Sequence, residues 1–217
     1  MNTIKKIQLV LFFKNTLSPS EGLGLAEKIK LKLNTSEIID YSNNEKVEGL
    51  DYSNATIYSI NALDKDILVN VSFKSIEFFL DIKEDNLSHE DFLKSIEASI
   101  FNEVISIAVN ELTFVSIGIV MQKFYLENIK NFMTSNLSLK YSNENLSGLS
   151  LRVTELRDVA SLECNYNRVY TSGNIKGKAA FQEIVDINKK DNNVDQPEIQ
   201  KDAIFYFIKS SLILARQ

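Results

Sequence analysis

The chain opens with a predicted strand that is apolar on both faces. One face carries Ile7, Leu9, Leu11 and Phe13, and the other carries Val10 and Phe12. A strand of this kind is either covered on both sides or central in its sheet. We therefore expect this segment to lie in the middle of a sheet rather than at its edge.

A capped helix, a hairpin and a long helix follow this strand. Ser18 is the predicted N-cap of the first helix, with Pro19 in its first turn and Glu21 three residues after the cap. Short strands are predicted at about residues 37–41 and 55–61. The alternation at 67–73 and 76–82 then predicts a hairpin. Apolar residues spaced by four after Ser88 predict one long amphipathic helix that ends near Glu111.

The same order of elements recurs from Leu112 to Gln217. A second strand, apolar on both faces, runs from about residue 114 to 124 and precedes a shorter helix. Strands are predicted at about 149–158, 161–170 and 178–188, with Ser172-Gly173-Asn174 joining the last two. A final helix begins near Pro197.

The predicted fold is therefore α+β, a tandem β-α-β-β-β-α duplication with antiparallel-rich sheets packed by long amphipathic helices. Its units are residues 1–111 and 112–217. Asn110 and Glu111 run from helix to strand without a linker. We expect the units to pack as one compact body, as one continuous sheet or as two facing layers.

The two predicted units differ in charge. Residues 1–111 hold 11 lysines, no arginine and 18 acidic residues, a net charge of −7. Residues 112–217 hold 9 lysines, 4 arginines and 11 acidic residues, a net charge of +2. The overall charge of −5 disfavours a general nucleic-acid coat. Two interpretations of the difference remain, drift on solvated faces or an acidic partner for the second unit.

The sequence predicts a cytoplasmic protein without a membrane segment. The apolar run near the N-terminus ends at Lys14 and lacks a small-residue cleavage site. The apolar stretch 203–215 is too short to span a bilayer. The single cysteine, Cys164, excludes an internal disulfide framework and fits a reducing compartment.

The residues that carry catalytic chemistry are scarce. His89 is the single histidine, and it lies in a capping sequence, where a solvated side chain is expected. Cys164 is expected to be a buried, inert thiol. We predict no catalytic residue, no metal site and no cofactor. Carboxylate-only Mg²⁺ binding by two acidic loops is the alternative to their being solvated turns. The first loop has Asp64 and Asp66, and the second has Asp81, Glu84 and Asp85.

The most unusual local feature is an alternation of tyrosine and arginine. Strand geometry places Tyr166, Arg168 and Tyr170 on one face. Arg152 and Arg157 lie on the preceding predicted strand, and we expect them to be cross-strand neighbours of this face. An arginine between tyrosines can stack on their rings or bind an anion. These five residues are the predicted binding site.

A structural interpretation of the same residues competes with binding. The face would emerge at the rim of the sheet, with the tyrosines reaching toward water and Arg168 paired with Glu155 or Asp158. Leu68 and Phe79 are a second candidate surface, an apolar spot on the outward side of the predicted hairpin.

The helix from Ser88 and the strand after it resemble an uncharacterised, sporadically distributed bacterial family of about this length. Its members carry a long helix followed by a strand with an Ile-Gly-Leu-Arg-Tyr-like core. Ile117-Gly118-Ile119 matches that core, whereas Val120 and Met121 stand where arginine and tyrosine are expected. The resemblance implies a shared order of elements up to the final helix, and it transfers no active site.

Three functional hypotheses follow. The first is a non-enzymatic interaction or accessory subunit of a bacterial or phage cytoplasmic complex, in defence, immunity or toxin neutralisation. Its partner would be a protein, and self-association is compatible with it. The second is a nucleic-acid-processing or nucleotide-binding component that uses the more basic unit. The third is a small-ligand-binding domain.

Overall fold

A computed structural model describes most of the chain. The described ranges are 3–35, 37–42, 55–83, 89–97, 99–126, 129–136, 150–175, 178–190 and 197–216. The strands are β1 (Thr3–Phe13), β2 (Ile38–Asp40), β3 (Thr56–Ala62), β4 (Ile67–Ser72), β5 (Ser75–Asp81), β6 (Phe114–Tyr125), β7 (Ser150–Val159), β8 (Leu162–Ile175) and β9 (Lys178–Lys189). The helices are α1 (Pro19–Leu33), α2 (His89–Glu97), α3 (Ile100–Glu111), α4 (Ile129–Asn136) and α5 (Lys201–Arg216). This mixture of helices and strands confirms the α+β class.

The described strands form one antiparallel sheet in the order β2-β3-β4-β5-β1-β6-β9-β8-β7. The two strands predicted to be apolar on both faces, β1 and β6, pair with each other near its middle. Leu9 lies opposite Ile119 in that pair. Of the two arrangements that the sequence left open, the structure therefore has the continuous sheet.

The described helices cover one face of this sheet. Residues directly opposite each other in an antiparallel pair share a face. Leu9 therefore shares a face with Phe78 of β5 and with Ile119 of β6. These side chains pack with α1, α2, α3 and α5 in the main hydrophobic core. We call this the helix face and the opposite side the open face.

The first helix begins as the sequence predicts. The Glu21 backbone N–H donates to the Ser18 Oγ at 3.3 Å, and the Ser18 backbone N–H donates to the Glu21 carboxylate at 2.8 Å. These reciprocal bonds form the predicted capping box, with Pro19 in the first turn. Together they determine where α1 starts.

The long helix predicted after Ser88 is divided into α2 and α3. Ser99 has an extended backbone, with φ −80° and ψ 155°. Its Oγ donates to the Ile96 carbonyl at 2.6 Å. Serine side chains compete in this way with helical backbone bonds, so periodicity alone did not reveal the break. The side chain of His89 lies outside the described residues.

The predicted turn at residues 172–174 is wrong. These residues belong to β8 and pair with residues 179–181 of β9. Pairing in the ladder satisfies their backbone groups, and this outweighs the turn preference of Gly173 and its neighbours. The shorter helix of the second half spans Ile129–Asn136, and Leu126 before it is exposed. None of the helices in the described ranges is both long enough and apolar enough to cross a bilayer.

Candidate functional site

Four of the five predicted binding residues lie on the helix face of the second half. Tyr166, Arg168 and Tyr170 alternate along β8, where Tyr166 is opposite Ile187 and Arg168 is opposite Val185. Arg157 of β7 lies opposite Cys164, on the same face. We call Arg157, Tyr166, Arg168 and Tyr170 the arginine–tyrosine cluster.

Arg152, the fifth predicted residue, is on the open face. It lies opposite Val169, and its guanidinium donates to the Asn167 Oδ1 at 3.2 Å. Arg152 and Arg157 are an odd number of positions apart on one strand, so their side chains point to opposite faces. The expectation that both arginines neighbour the same face is therefore corrected.

Both arginines of the cluster stack on a single tyrosine ring. The guanidinium carbon of Arg157 is 4.4 Å from the centroid of the Tyr166 ring, and that of Arg168 is 5.3 Å away. Arg168 Nε also donates to the Tyr166 hydroxyl at 2.5 Å. On its other side Arg157 forms an ion pair with Glu155 at 2.6 Å. The Arg157 and Arg168 side chains keep 37% and 23% of their surface exposed, so solvent reaches both.

A buried ion pair lies beside the cluster. Lys123 Nζ is 3.1 Å from Glu183 Oε2, and the two side chains are only 2% and 1% exposed. The Tyr125 hydroxyl donates to the same oxygen at 2.5 Å. Arg168 Nη1 lies 3.3 Å from Glu183 Oε1, which accepts no hydrogen bond from the described part of the chain. Glu183 thus lies between Lys123 and Arg168. We call the set of Lys123, Tyr125, Glu183 and Arg168 the ionic network.

Three of these four residues, Lys123, Tyr125 and Glu183, were not among the predicted site residues. Lys123 continues the alternation of Ile119 and Met121 along β6, and Glu183 stands between Phe181 and Val185 in β9. A charged residue at a core-facing position on each of two adjacent strands was the available signal. Charges that are buried are generally paired, and these two lie directly opposite each other.

Burial keeps the phenols of the site protonated. It raises the pKa of Tyr125, and the neighbouring Glu183 carboxylate raises that pKa further. Burial likewise raises the pKa of Tyr166 and of Tyr170, which the charge of Arg168 only partly offsets. For Arg168, burial opposes the charged form, but the neighbouring Tyr170 and Tyr166 side chains and the Glu183 carboxylate raise its pKa overall. The site therefore presents neutral phenols and a permanently charged guanidinium.

Helices α4 and α5 hold the site from two sides. Arg168 Nη2 donates to the Leu214 carbonyl, at 3.4 Å, in the last turn of α5. Carbonyls at a helix C-terminus lack helical partners and attract cations. On the α4 side, the rings of Tyr125 and Phe181 are stacked with their centroids 4.2 Å apart. The ring of Phe132 packs against that of Tyr170, with 5.3 Å between their centroids. This packing leaves Arg168 little freedom to change orientation.

Cys164 is a buried thiol next to the cluster. Burial raises its pKa to about 11, and its Sγ donates to the Leu162 carbonyl at 3.3 Å. Such a thiol is a poor nucleophile at neutral pH, in agreement with the inert cysteine expected from the sequence.

The acidic loops considered for Mg²⁺ are occupied by lysines where the structure describes them. Asp64 pairs with Lys65 at 2.8 Å, Asp66 with Lys83 at 2.5 Å and Asp81 with Lys6 at 3.3 Å. Glu84 and Asp85 lie outside the described residues. Within the described ranges, no group of three or more His, Cys, Asp or Glu side chains is arranged to hold a metal ion.

The open face carries a separate cavity of about 400 Å³. Leu68 and Phe79, the predicted apolar spot, lie opposite each other and form part of its lining. Amide side chains from three strands, Gln8, Asn61 and Gln122, also line it. An apolar floor with a few polar groups is typical of small-molecule sites.

Comparison with protein-family models and with curated proteins finds no match to this chain.

Proposed function

We propose that this chain is a non-enzymatic accessory subunit that binds an acidic protein partner through its arginine–tyrosine cluster. The observation that carries the proposal is the pair of partly exposed guanidinium groups on the Tyr166 ring. Tyrosine and arginine are among the side chains most enriched at the energetic centres of protein interfaces. Arg157 and Arg168 supply the charge, and the buried Tyr166 ring supports both guanidinium groups.

The net charge of the second half supports an acidic partner. Arg157 and Arg168 face the same ring, so their positive charges are held close together. The half of the chain that contains them carries a net charge of +2, whereas the other half carries −7. A carboxylate that reached both guanidiniums would make charge-assisted, bidentate hydrogen bonds. The neutral phenols do not repel such a group.

We also propose that the two halves arose by tandem duplication. Outward from the central β1–β6 pair, the order is β5, β4, β3 on one side and β9, β8, β7 on the other. These strands occupy the same places in the order of each half, and β2 has no counterpart among the described strands of the second half. This correspondence supports units 1–111 and 112–217, and the two units have diverged in charge.

Affinity capture from the native host, read by mass spectrometry, tests the proposed function. Arg168→Ala should reduce recovery of the partner by about thirtyfold, a loss of about 2 kcal/mol that is typical of interface arginines. Arg152→Ala is the matched control, because it removes the same charge from the opposite face. Equal recovery with both variants and the unchanged chain would overturn the proposal.

The nature of the captured molecule separates the hypotheses. Recovery of a stoichiometric acidic protein supports the accessory-subunit function. The known role of that protein then tests whether the complex acts in defence, immunity or toxin neutralisation. Recovery of nucleic acid, with an affinity that falls steeply as salt rises, would favour a nucleic-acid-binding role instead.

The open-face cavity favours small-ligand binding as a second candidate function. Its Leu68 and Phe79 floor and its amide side chains suit a small amphipathic molecule. Native mass spectrometry of the chain purified from its host would reveal a bound ligand. Phe79→Ala should release that ligand, and Arg168→Ala should not, since Arg168 is on the helix face.

A further inference from the structure

The two edges of the sheet are very different. At one edge β2 contributes only Ile38–Asp40, whereas at the other β7 extends over the ten residues Ser150–Val159. An edge strand presents backbone N–H and C=O groups that can pair with another strand. No described strand pairs with the outer side of β7. The centre of this edge carries Leu156, which is 57% exposed.

The charges on β7 alternate in sign about this leucine. Glu155 and Arg157 flank Leu156, and both lie on the helix face. Thr154 and Asp158 flank them in turn on the open face. Edges that are protected by repulsion usually carry charges of one sign, such as a row of lysines. The β7 edge instead carries a pattern that complements itself when reversed.

We propose that two copies of this chain pair antiparallel through the outer edges of their β7 strands, with Leu156 opposite Leu156 of the second copy. In this register Glu155 lies opposite Arg157 of the second copy, and Arg157 lies opposite its Glu155. Thr154 lies opposite Asp158 of the second copy, so this pair brings no like charges together. Opposite charges directly across a ladder stabilise the pairing, and a symmetric dimer makes each such contact twice.

Neighbouring registers lack this complementarity. Moving the symmetry axis one residue back places Glu155 opposite itself, and moving it one residue forward places Arg157 opposite itself. Like charges directly opposite each other destabilise a strand pair. The register centred on Leu156 thus avoids repulsion and covers the exposed leucine. The contact is small, so we expect a weak dimer that forms as concentration rises.

Sedimentation equilibrium of the full chain over a range of concentrations tests the dimer. The average molar mass should rise with concentration from that of one chain toward that of two chains. Leu156→Lys, which places two ammonium groups at the axis, should weaken association by at least about tenfold. Thr171→Lys, an exposed position on the adjacent strand β8, is the matched control and should associate like the unchanged chain. A chain that stays monomeric at every concentration would overturn the proposal.

Charge exchange identifies the register. Glu155→Arg alone and Arg157→Glu alone should each dissociate the dimer, because each sets like charges opposite each other. An equimolar mixture of these two variants should associate again, since every cross-strand pair then joins opposite charges. The intramolecular Arg157–Glu155 ion pair is absent from both variants, so it cannot cause that recovery. Failure of the mixture to associate, while the unchanged chain dimerises, would exclude the proposed register.

Discussion

The two halves of the sheet bury different kinds of side chain against their helices. In the first half the helix-face pairs between β1 and β5 are wholly apolar, as in Leu9 opposite Phe78. In the second half the equivalent pair of strands, β6 and β9, sets Lys123 opposite Glu183 at less than 3% exposure. The β1–β5 pairs on the helix face of the first half are therefore apolar, whereas the β6–β9 pairs of the second half include buried charges.

This difference shows what the buried charges contribute. Removing two ions from water costs several kcal/mol each, which their attraction only partly restores. A buried pair of this kind adds little net stability, whereas an apolar pair in its place adds the free energy of burial. The ionic network does hold Arg168 through Glu183, beside Tyr166 and the end of α5. Its contribution is the orientation of the proposed binding arginine.

The largest effect is expected when the ionic network is cut. Glu183→Ala removes the carboxylate beside buried Lys123 and should lower the free energy of unfolding by about 3–5 kcal/mol. Urea unfolding followed by circular dichroism measures the change. Glu77→Ala on β5 is the matched control, because Glu77 lies on the open face and is only partly buried. A loss below 1 kcal/mol is expected there, roughly as for other surface changes. Similar losses for the two variants would contradict the difference between the halves.

A medium effect is expected at alkaline pH. Burial raises the pKa of Cys164 from 9.0 to about 11, so the unfolded chain releases the thiol proton first. The protonated thiol contributes on the order of 2 kcal/mol to the free energy of unfolding. This contribution is present in full below about pH 9 and is lost as the pH rises to about 11. The difference in unfolding free energy between the unchanged chain and Cys164→Ala should shrink over that range. A difference that stays constant from pH 8 to 11 would show that the thiol is not protected.

The smallest effect is expected at the start of α1, in the first half. Ser18→Ala removes the cap of this helix and should cost about 1 kcal/mol. Ser20→Ala, two residues later on the exposed side of the helix, should cost less than about 0.5 kcal/mol. Thermal unfolding of both variants compares them. Equal melting temperatures for the two would mean that the capping box contributes nothing measurable.

Much of the fold was predictable because the sequence patterns that specify its elements lie within short segments of the chain. Alternation identified β1 and β6 as central strands, and the spacing of Ser18 and Glu21 identified the cap of α1. The alternation of Tyr166, Arg168 and Tyr170 also gave their common face correctly. In each case a short stretch of sequence contains the whole signal.

Features that depend on distant partners were not predictable in this way. Glu183 meets Arg168 only because β9 pairs with β8, and no local pattern states that register. Ladder pairing kept Gly173 in a strand although its neighbours favour a turn. At Ser99 a side-chain bond ended a helix that the apolar spacing continued. Arg152 was misplaced for another reason, since counting positions along β7 would have put it on the open face.

Replacing the buried polar groups together shows whether they serve orientation or stability. The variant Lys123→Met, Tyr125→Phe and Glu183→Leu exchanges them for apolar side chains of similar size, and urea unfolding gives its stability. If the charges serve orientation rather than stability, the triple variant should unfold within about 1 kcal/mol of the unchanged chain or above it. A loss as large as that of Glu183→Ala alone would show that the ionic network stabilises the second half and would contradict a role in orientation.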